Sequence, residues 1–111
     1  MSHAGSCHCG AIRIVIEQDP VEAAECNCSI CRRTGGLWTY DSPSRVEVTG
    51  EGKAYVQGDR MLALFHCPTC GVTTHWLAFD SEYDRMGVNL RLFDPALWEG
   101  LPRRRVDGAS W

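Results

Sequence analysis

The sequence predicts an all-β fold, a domain of short antiparallel strands with metal-binding cysteines in its loops. Apolar residues recur at every second position in short runs, and Gly, Pro, Asp and Ser gather between those runs, which is strand and turn patterning. The seven cysteines fall into three tight groups, Cys7-x-Cys9, Cys26-x-Cys28-x-x-Cys31 and Cys67-x-x-Cys70. Spacings this short let one turn of backbone aim several sulfurs at one point.

Taken in order, Ser6-Cys7-His8-Cys9-Gly10 is the first half of a metal site, with Gly10 available for a sharp turn. Ala11 to Glu17 alternates, with Ile12, Ile14 and Ile16 on the buried side, and Asp19-Pro20 ends this strand. Val21 to Glu25 leads, extended, into the central cluster. Ser29 to Thr34 suits one helical turn capped by Ser29 and stopped by Gly35-Gly36. An extended stretch, Leu37-Trp38-Thr39-Tyr40, and a turn at Asp41-Ser42-Pro43-Ser44 come next. Arg45 to Thr49 and Lys53 to Gln57, joined by Gly50-Glu51-Gly52, read as a hairpin. After a turn at Gly58-Asp59, Met61 to His66 delivers the second knuckle, Cys67-Pro68-Thr69-Cys70-Gly71, and Val72 to Phe79 continues as a strand. Gly87 to Leu92 reads as one more strand, with Val88, Leu90 and Leu92 on one face and Asn89 and Arg91 on the other. Asp94-Pro95-Ala96-Leu97-Trp98 makes a capped helical turn, and no pattern is visible after Leu101.

Length and charge set bounds on function. With 111 residues, positions 1–111 form one domain, and a chain of this size hides only about two thirds of its unfolded surface, so metal sites would reinforce a modest core. An odd cysteine count, with close pairs that would have to be split, makes a poor disulfide framework. The first residues lack the basic start and apolar run of a signal peptide, and no segment approaches a membrane span, so a reducing cytoplasm is expected. At a formal charge of −3, general binding to nucleic acid is not expected, and Arg103-Arg104-Arg105 reads as a solvated run.

Reach divides the sulfurs into two sites. Cys26, Cys28 and Cys31 form a local trio, which leaves Cys7, Cys9, Cys67 and Cys70 as a remote quartet with the composition of a closed structural zinc site. Three thiolates leave one coordination position for a ligand, and a zinc ion so held favours another sulfur. His8, His66 or His75 could instead close the trio into a second structural site. Arg32 and Arg33 follow the trio directly and can hold a carboxylate or offset its charge. Trp38 and Tyr40 are candidates for a pocket wall or for core packing.

Gly5-Ser6-Cys7-His8-Cys9-Gly10, Cys26-Asn27-Cys28-Ser29-Ile30-Cys31-Arg32-Arg33-Thr34-Gly35 and Phe65-His66-Cys67-Pro68-Thr69-Cys70-Gly71 resemble the three signatures of the glutathione-dependent formaldehyde-activating enzymes, a family that also includes centromere protein V. The resemblance implies a β-tent fold, a structural zinc on Cys7, Cys9, Cys67 and Cys70, and a catalytic zinc on Cys26, Cys28 and Cys31, two ions per chain. It also implies a carbon–sulfur lyase that joins glutathione to formaldehyde as S-hydroxymethylglutathione. In this reading, zinc on the trio binds a thiol such as glutathione for addition to a small aldehyde, with Arg32, Arg33 and Trp38 as substrate-binding residues. The other functional class open to these residues is a zinc-stabilised binding module without turnover.

Overall fold

The computed structural model describes residues 2–58 and 60–110, and the alternating segments fold into two sheets. Strands β1 (His3–Ser6), β2 (Arg13–Ile16) and β5 (Val46–Thr49) make a three-stranded antiparallel sheet with β2 in the middle. The second sheet consists, from edge to edge, of β10 (Arg103–Val106), β3 (Ala23–Cys26), β4 (Trp38–Asp41), β9 (Met86–Asn89), β8 (Thr73–Ala78), β7 (Leu62–His66) and β6 (Lys53–Val56). Its described pairings are antiparallel except that of β10 with β3. Two short helices, α1 (Cys31–Thr34) and α2 (Pro95–Trp98), lie in the connections.

The main core forms where the sheets meet. Ile12, Ile14 and Ile16 join Ala23, Leu37, Met86, Val88, Leu90 and Phe93, all buried. A one-residue slip of β2 would turn its isoleucines to water, and full burial of each such side chain contributes about 1.5–3 kcal/mol, so its register is firmly set. Ala24, Trp38 and Leu64 form a second cluster, against which Ile30, Cys31, Tyr40, Trp76 and Val106 pack. Adjacent residues of β3, Ala23 and Ala24, enter different clusters, so this strand is covered on both faces.

Several expectations are corrected. Val46–Thr49 and Lys53–Val56 do not form a hairpin: β5 pairs with β2 and β6 with β7, so the Gly50–Gly52 link carries the chain from one sheet to the other. Alternation shows that a segment has a buried face, but it does not name the partner strand. The strand expected over residues 87–92 ends at Asn89 and continues as a 3-10 turn, Leu90–Leu92. Asn89 explains the break. It is buried, its Oδ1 accepts from the Leu37 and Arg91 amides at 3.2 and 3.1 Å, and its Nδ2 donates to the Thr73 carbonyl at 2.8 Å. Ser29 does not cap α1, whose N-cap position is Ile30 without a side-chain bond, whereas Gly35 ends the helix as expected. Asp94 caps α2 by accepting from the Ala96 amide at 2.9 Å. The patternless tail is strand β10, and His3–Ser6 adds a strand ahead of the first knuckle. Asp59 of the expected Gly58-Asp59 turn lies outside the described residues.

His75 is a core histidine. Its ring stacks on Phe65 with centroids 4.6 Å apart, and its Nδ1 lies 2.8 Å from Thr74 Oγ1. Since that hydroxyl also lies 3.3 Å from the Phe65 carbonyl, it donates there and accepts from Nδ1–H. Burial pushes the His75 pKa down to about 4, from 6.5. Between those values the unfolded chain binds a proton that the folded chain does not, so stability present above pH 6.5 is lost as pH falls. The expected result is a urea-unfolding free energy about 2 kcal/mol lower at pH 5 than at pH 7. This loss should be largely absent in His75→Gln, and the same pH response in both proteins would exclude the assignment.

Candidate metal centres

The quartet is built from two matching turns. In the β1–β2 connection the Cys7 amide donates to the Ile12 carbonyl at 3.0 Å and the Gly10 amide to the Cys7 carbonyl at 3.1 Å. In the β7–β8 connection the Cys67 amide donates to the Val72 carbonyl at 3.0 Å and the Gly71 amide to the Cys67 carbonyl at 2.9 Å. Gly10 and Gly71 adopt φ of 84° and 80°, a region that side chains with a Cβ seldom occupy, and this lets each turn fold back under its sulfurs. A register shift between Phe65 and His66 re-aims the chain just before Cys67. The result is that all four sulfurs lie within 4.8 Å of one another, with Cys9 Sγ 3.7 Å from Cys7 Sγ and 3.6 Å from Cys67 Sγ.

The trio offers three sulfurs where the quartet, whose Cys9 is exposed, offers four. Cys26 ends β3, Cys31 begins α1, and their sulfurs lie with that of Cys28 within 4.8 Å, all three residues being half-buried. Among the described residues no His, Asp or Glu joins them at that distance. The Cys31 amide points at Cys28 Sγ from 3.4 Å. The C-terminal segment closes one side. Asn27 donates through Nδ2 to Asp107 at 2.8 Å and accepts the Ala109 amide at 2.9 Å, while its own amide donates to the Val106 carbonyl at 3.1 Å. Gly108 rests against the trio so closely that a Cβ there would stand 2.5 Å from Cys26 Sγ.

The donor chemistry suits a thiophilic divalent ion. Tetrahedral metal–sulfur bonds of about 2.3 Å place sulfurs about 3.7 Å apart, close to the two separations in the quartet. Electrostatics point the same way. Backbone amides of Cys9 and Val72 hold the Cys70 thiol down to about 6, and those of Cys70 and Thr69 lower Cys67. The Ala11 amide pulls Cys9 down, but the Cys67 sulfur, burial and the other thiols outweigh it and raise Cys9 to about 11. In the trio, burial opposes ionisation of Cys28, yet the Cys31 amide and sulfur bring it down; burial, then Cys28, push Cys31 up. In each cluster at least one thiol is thus shifted toward the thiolate, and a cation at the centre would offset the mutual repulsion that opposes full ionisation.

The other predicted residues are placed as follows. Arg32 lines a groove of about 430 Å³ with Cys26, Cys31, Arg91 and Arg105. Arg33 instead donates to the Ser29 carbonyl at 2.8 Å, within its own turn. Trp38 is buried beneath Gly36, its Nε1 without a hydrogen-bond partner among the described residues; with Tyr40 it lines a separate cavity of about 390 Å³ beside β3 and β4. His75 is committed to Thr74 and Phe65. Sequence reasoning missed Arg91, Arg105 and the Asn27–Asp107 clamp. Asp107-Gly108, a common turn pair, was the available signal for the clamp.

Fold and clusters together define a small, mostly β protein with two cysteine centres suited to metal. The family profile of the glutathione-dependent formaldehyde-activating enzymes matches residues 2–102, and the chain belongs to that family. A Halomonas elongata protein carrying that name provisionally is 33% identical over 72 residues, 63% of this chain. The match takes in 43% of that protein, so the chain spans less than half the length of this curated relative. A crystal structure of a Rhodobacter sphaeroides protein superposes with a TM-score of 0.75 at 30% identity, covering 91% of this chain and 99% of the other. No described helix is long and apolar enough to cross a membrane.

The contact between Gly108 and Cys26 gives a local test. Gly108→Ala must displace the sulfur or the turn, so cobalt(II)-loaded protein should show altered thiolate-to-metal absorption from the trio and unchanged absorption from the quartet. An identical spectrum would mean that the tail does not touch the centre.

Proposed function

We propose that the protein is a zinc-dependent carbon–sulfur lyase of the S-(hydroxymethyl)glutathione synthase type, working as a single domain in a reducing cytoplasm. In this reading Cys7, Cys9, Cys67 and Cys70 hold a structural zinc ion, and Cys26, Cys28 and Cys31 hold a second ion where a thiol such as glutathione binds. The observation that carries the reading is the contrast between the two clusters: four sulfurs close the first, whereas three half-buried sulfurs beside a groove make up the second.

Zinc held by the trio would supply thiophilic Lewis acidity, which favours the thiolate form of a thiol at neutral pH. The chain's own residues do the rest. The Cys31 amide directed at Cys28 favours the thiolate form of that ligand against the opposing effect of burial, and Arg32 offers a cation to the incoming molecule. Arg33 braces the turn, and Trp38 supports Gly36, so both act from behind the groove. In the net reaction the thiol sulfur bonds to the aldehyde carbon, the carbonyl π pair moves to oxygen, and the proton given up by the thiol ends on that oxygen. Nothing is oxidised or reduced, and the reverse cleavage follows the same balance.

The test is exchange NMR of glutathione and formaldehyde with and without the zinc-loaded protein. Adduct exchange should be accelerated by at least about tenfold, and Cys28→Ala should return it to the buffer rate. Unaccelerated exchange would leave a zinc-stabilised binding module. Metal analysis should find two zinc ions per chain, the trio's ion being removed first by a chelator; simultaneous loss of both would contradict the assignment of one open and one closed site.

A further inference from the structure

We propose that residues 103–110 form a specificity wall of the three-cysteine groove and that Arg105, with Arg32 and Arg91, receives a carboxylate of the thiol substrate. This rests on the centre's binding a thiol such as glutathione and adds which residues of this chain meet that thiol's carboxylate. The segment lies beyond the 2–102 span of the family profile, so it belongs to the part of the chain that the family match does not describe.

The pairing of the arginines supports this. Arg104 bonds Glu22 at 2.7 Å, Arg45 bonds Asp41 at 3.0 Å, and Arg103 lies 3.5 Å from Glu25. Arg32 and Arg105, among the described residues, have no such partner, although acidic residues outnumber Lys and Arg by 14 to 11. Arg105 stands in register with Glu25, whose carboxylate is turned to Arg103 instead. The remaining acid of the groove, Asp107, is tied to Asn27 and to Ser110 at 2.8 and 2.6 Å. Arg91 is positioned from behind: its Nε donates to the Gly35 carbonyl at 2.8 Å and its guanidinium lies 5.4 Å from the Trp98 ring centroid. Its terminal nitrogens carry no bond to a described residue. Three guanidiniums thus share one groove with Cys26, Cys31, Glu25 and Asp107, and among the described residues none of the three is in an ion pair. A guanidinium fork matches a planar carboxylate with two parallel hydrogen bonds, so an occupant whose sulfur reaches the cysteines has its acid group met here.

The test compares glutathione, glutathione diethyl ester and 2-mercaptoethanol on the cobalt(II)-loaded full chain, by titration calorimetry and by the shift in thiolate-to-metal absorption. Wild type should bind glutathione about tenfold more tightly than the diester. Arg105→Gln should lose about tenfold for glutathione and nothing for the diester or 2-mercaptoethanol, and Arg105→Lys should recover part of the loss. Equal binding of acid and ester by wild type, or parallel losses for all three thiols, would overturn the carboxylate subsite while leaving the thiol-binding centre intact. Failure of every thiol to bind wild type would overturn both readings.

Discussion

The structure depends on the approach of two turns that lie far apart in the sequence. Cys9 and Cys67 are 58 positions apart, yet their sulfurs come within 3.6 Å. One turn belongs to the small sheet and the other to the large one, so this contact joins the two layers at one end while the isoleucines of β2 join them along their length. Buried Cys7 and Cys67 belong to both the sulfur cluster and the apolar core. An ion bound there adds its binding free energy to folding, since the unfolded chain holds no preformed site. A chain of this length has little core to spare, which makes the join more valuable.

The two clusters differ in how the surrounding chain treats them. The quartet is supported by its own turns, whose amides reach the two buried sulfurs: Ile12 donates to Cys7 Sγ at 3.3 Å and Thr69 to Cys67 Sγ at 3.4 Å. The trio borrows one wall from the end of the chain, through the Asn27 clamp and the close seat of Gly108. Closure from a distance leaves room beside the sulfurs, and the groove with its arginines occupies that room.

Much of this was legible in the sequence because the signals were local. The knuckles announced themselves through spacing and turn residues, the β2 face through three alternating isoleucines, and α2 through Asp94-Pro95. What failed was pairing and whatever depends on it. Val46 and Val48 advertise a buried face without saying that Ile14 and Ile16 lie beside them, so their alternation fits a hairpin with Lys53–Val56 equally well. Arg103–Val106 shows no alternation, because an edge strand rich in paired arginines has little apolar face to display. Asn89 looked like an open-face residue because a satisfied buried amide and a solvated one are the same letter. Arg91 and Arg105 were invisible as site residues for the same reason: the topology alone brings them to the cysteines.

The parallel pairing of β10 with β3 has a consequence for biosynthesis. Asn27 and Asp107 are 80 positions apart, so the edge of β3 beside the trio stays bare until residues 103–110 have been made. At about 5–20 residues per second, that interval lasts roughly 4–16 s. Throughout it the nascent polypeptide presents Cys26, Cys28 and Cys31 to its surroundings without their final cover, while the first two strands can already pair. Oxidants and scavenging ligands therefore meet these thiols most easily at the ribosome, before residues 103–110 cover one side of them.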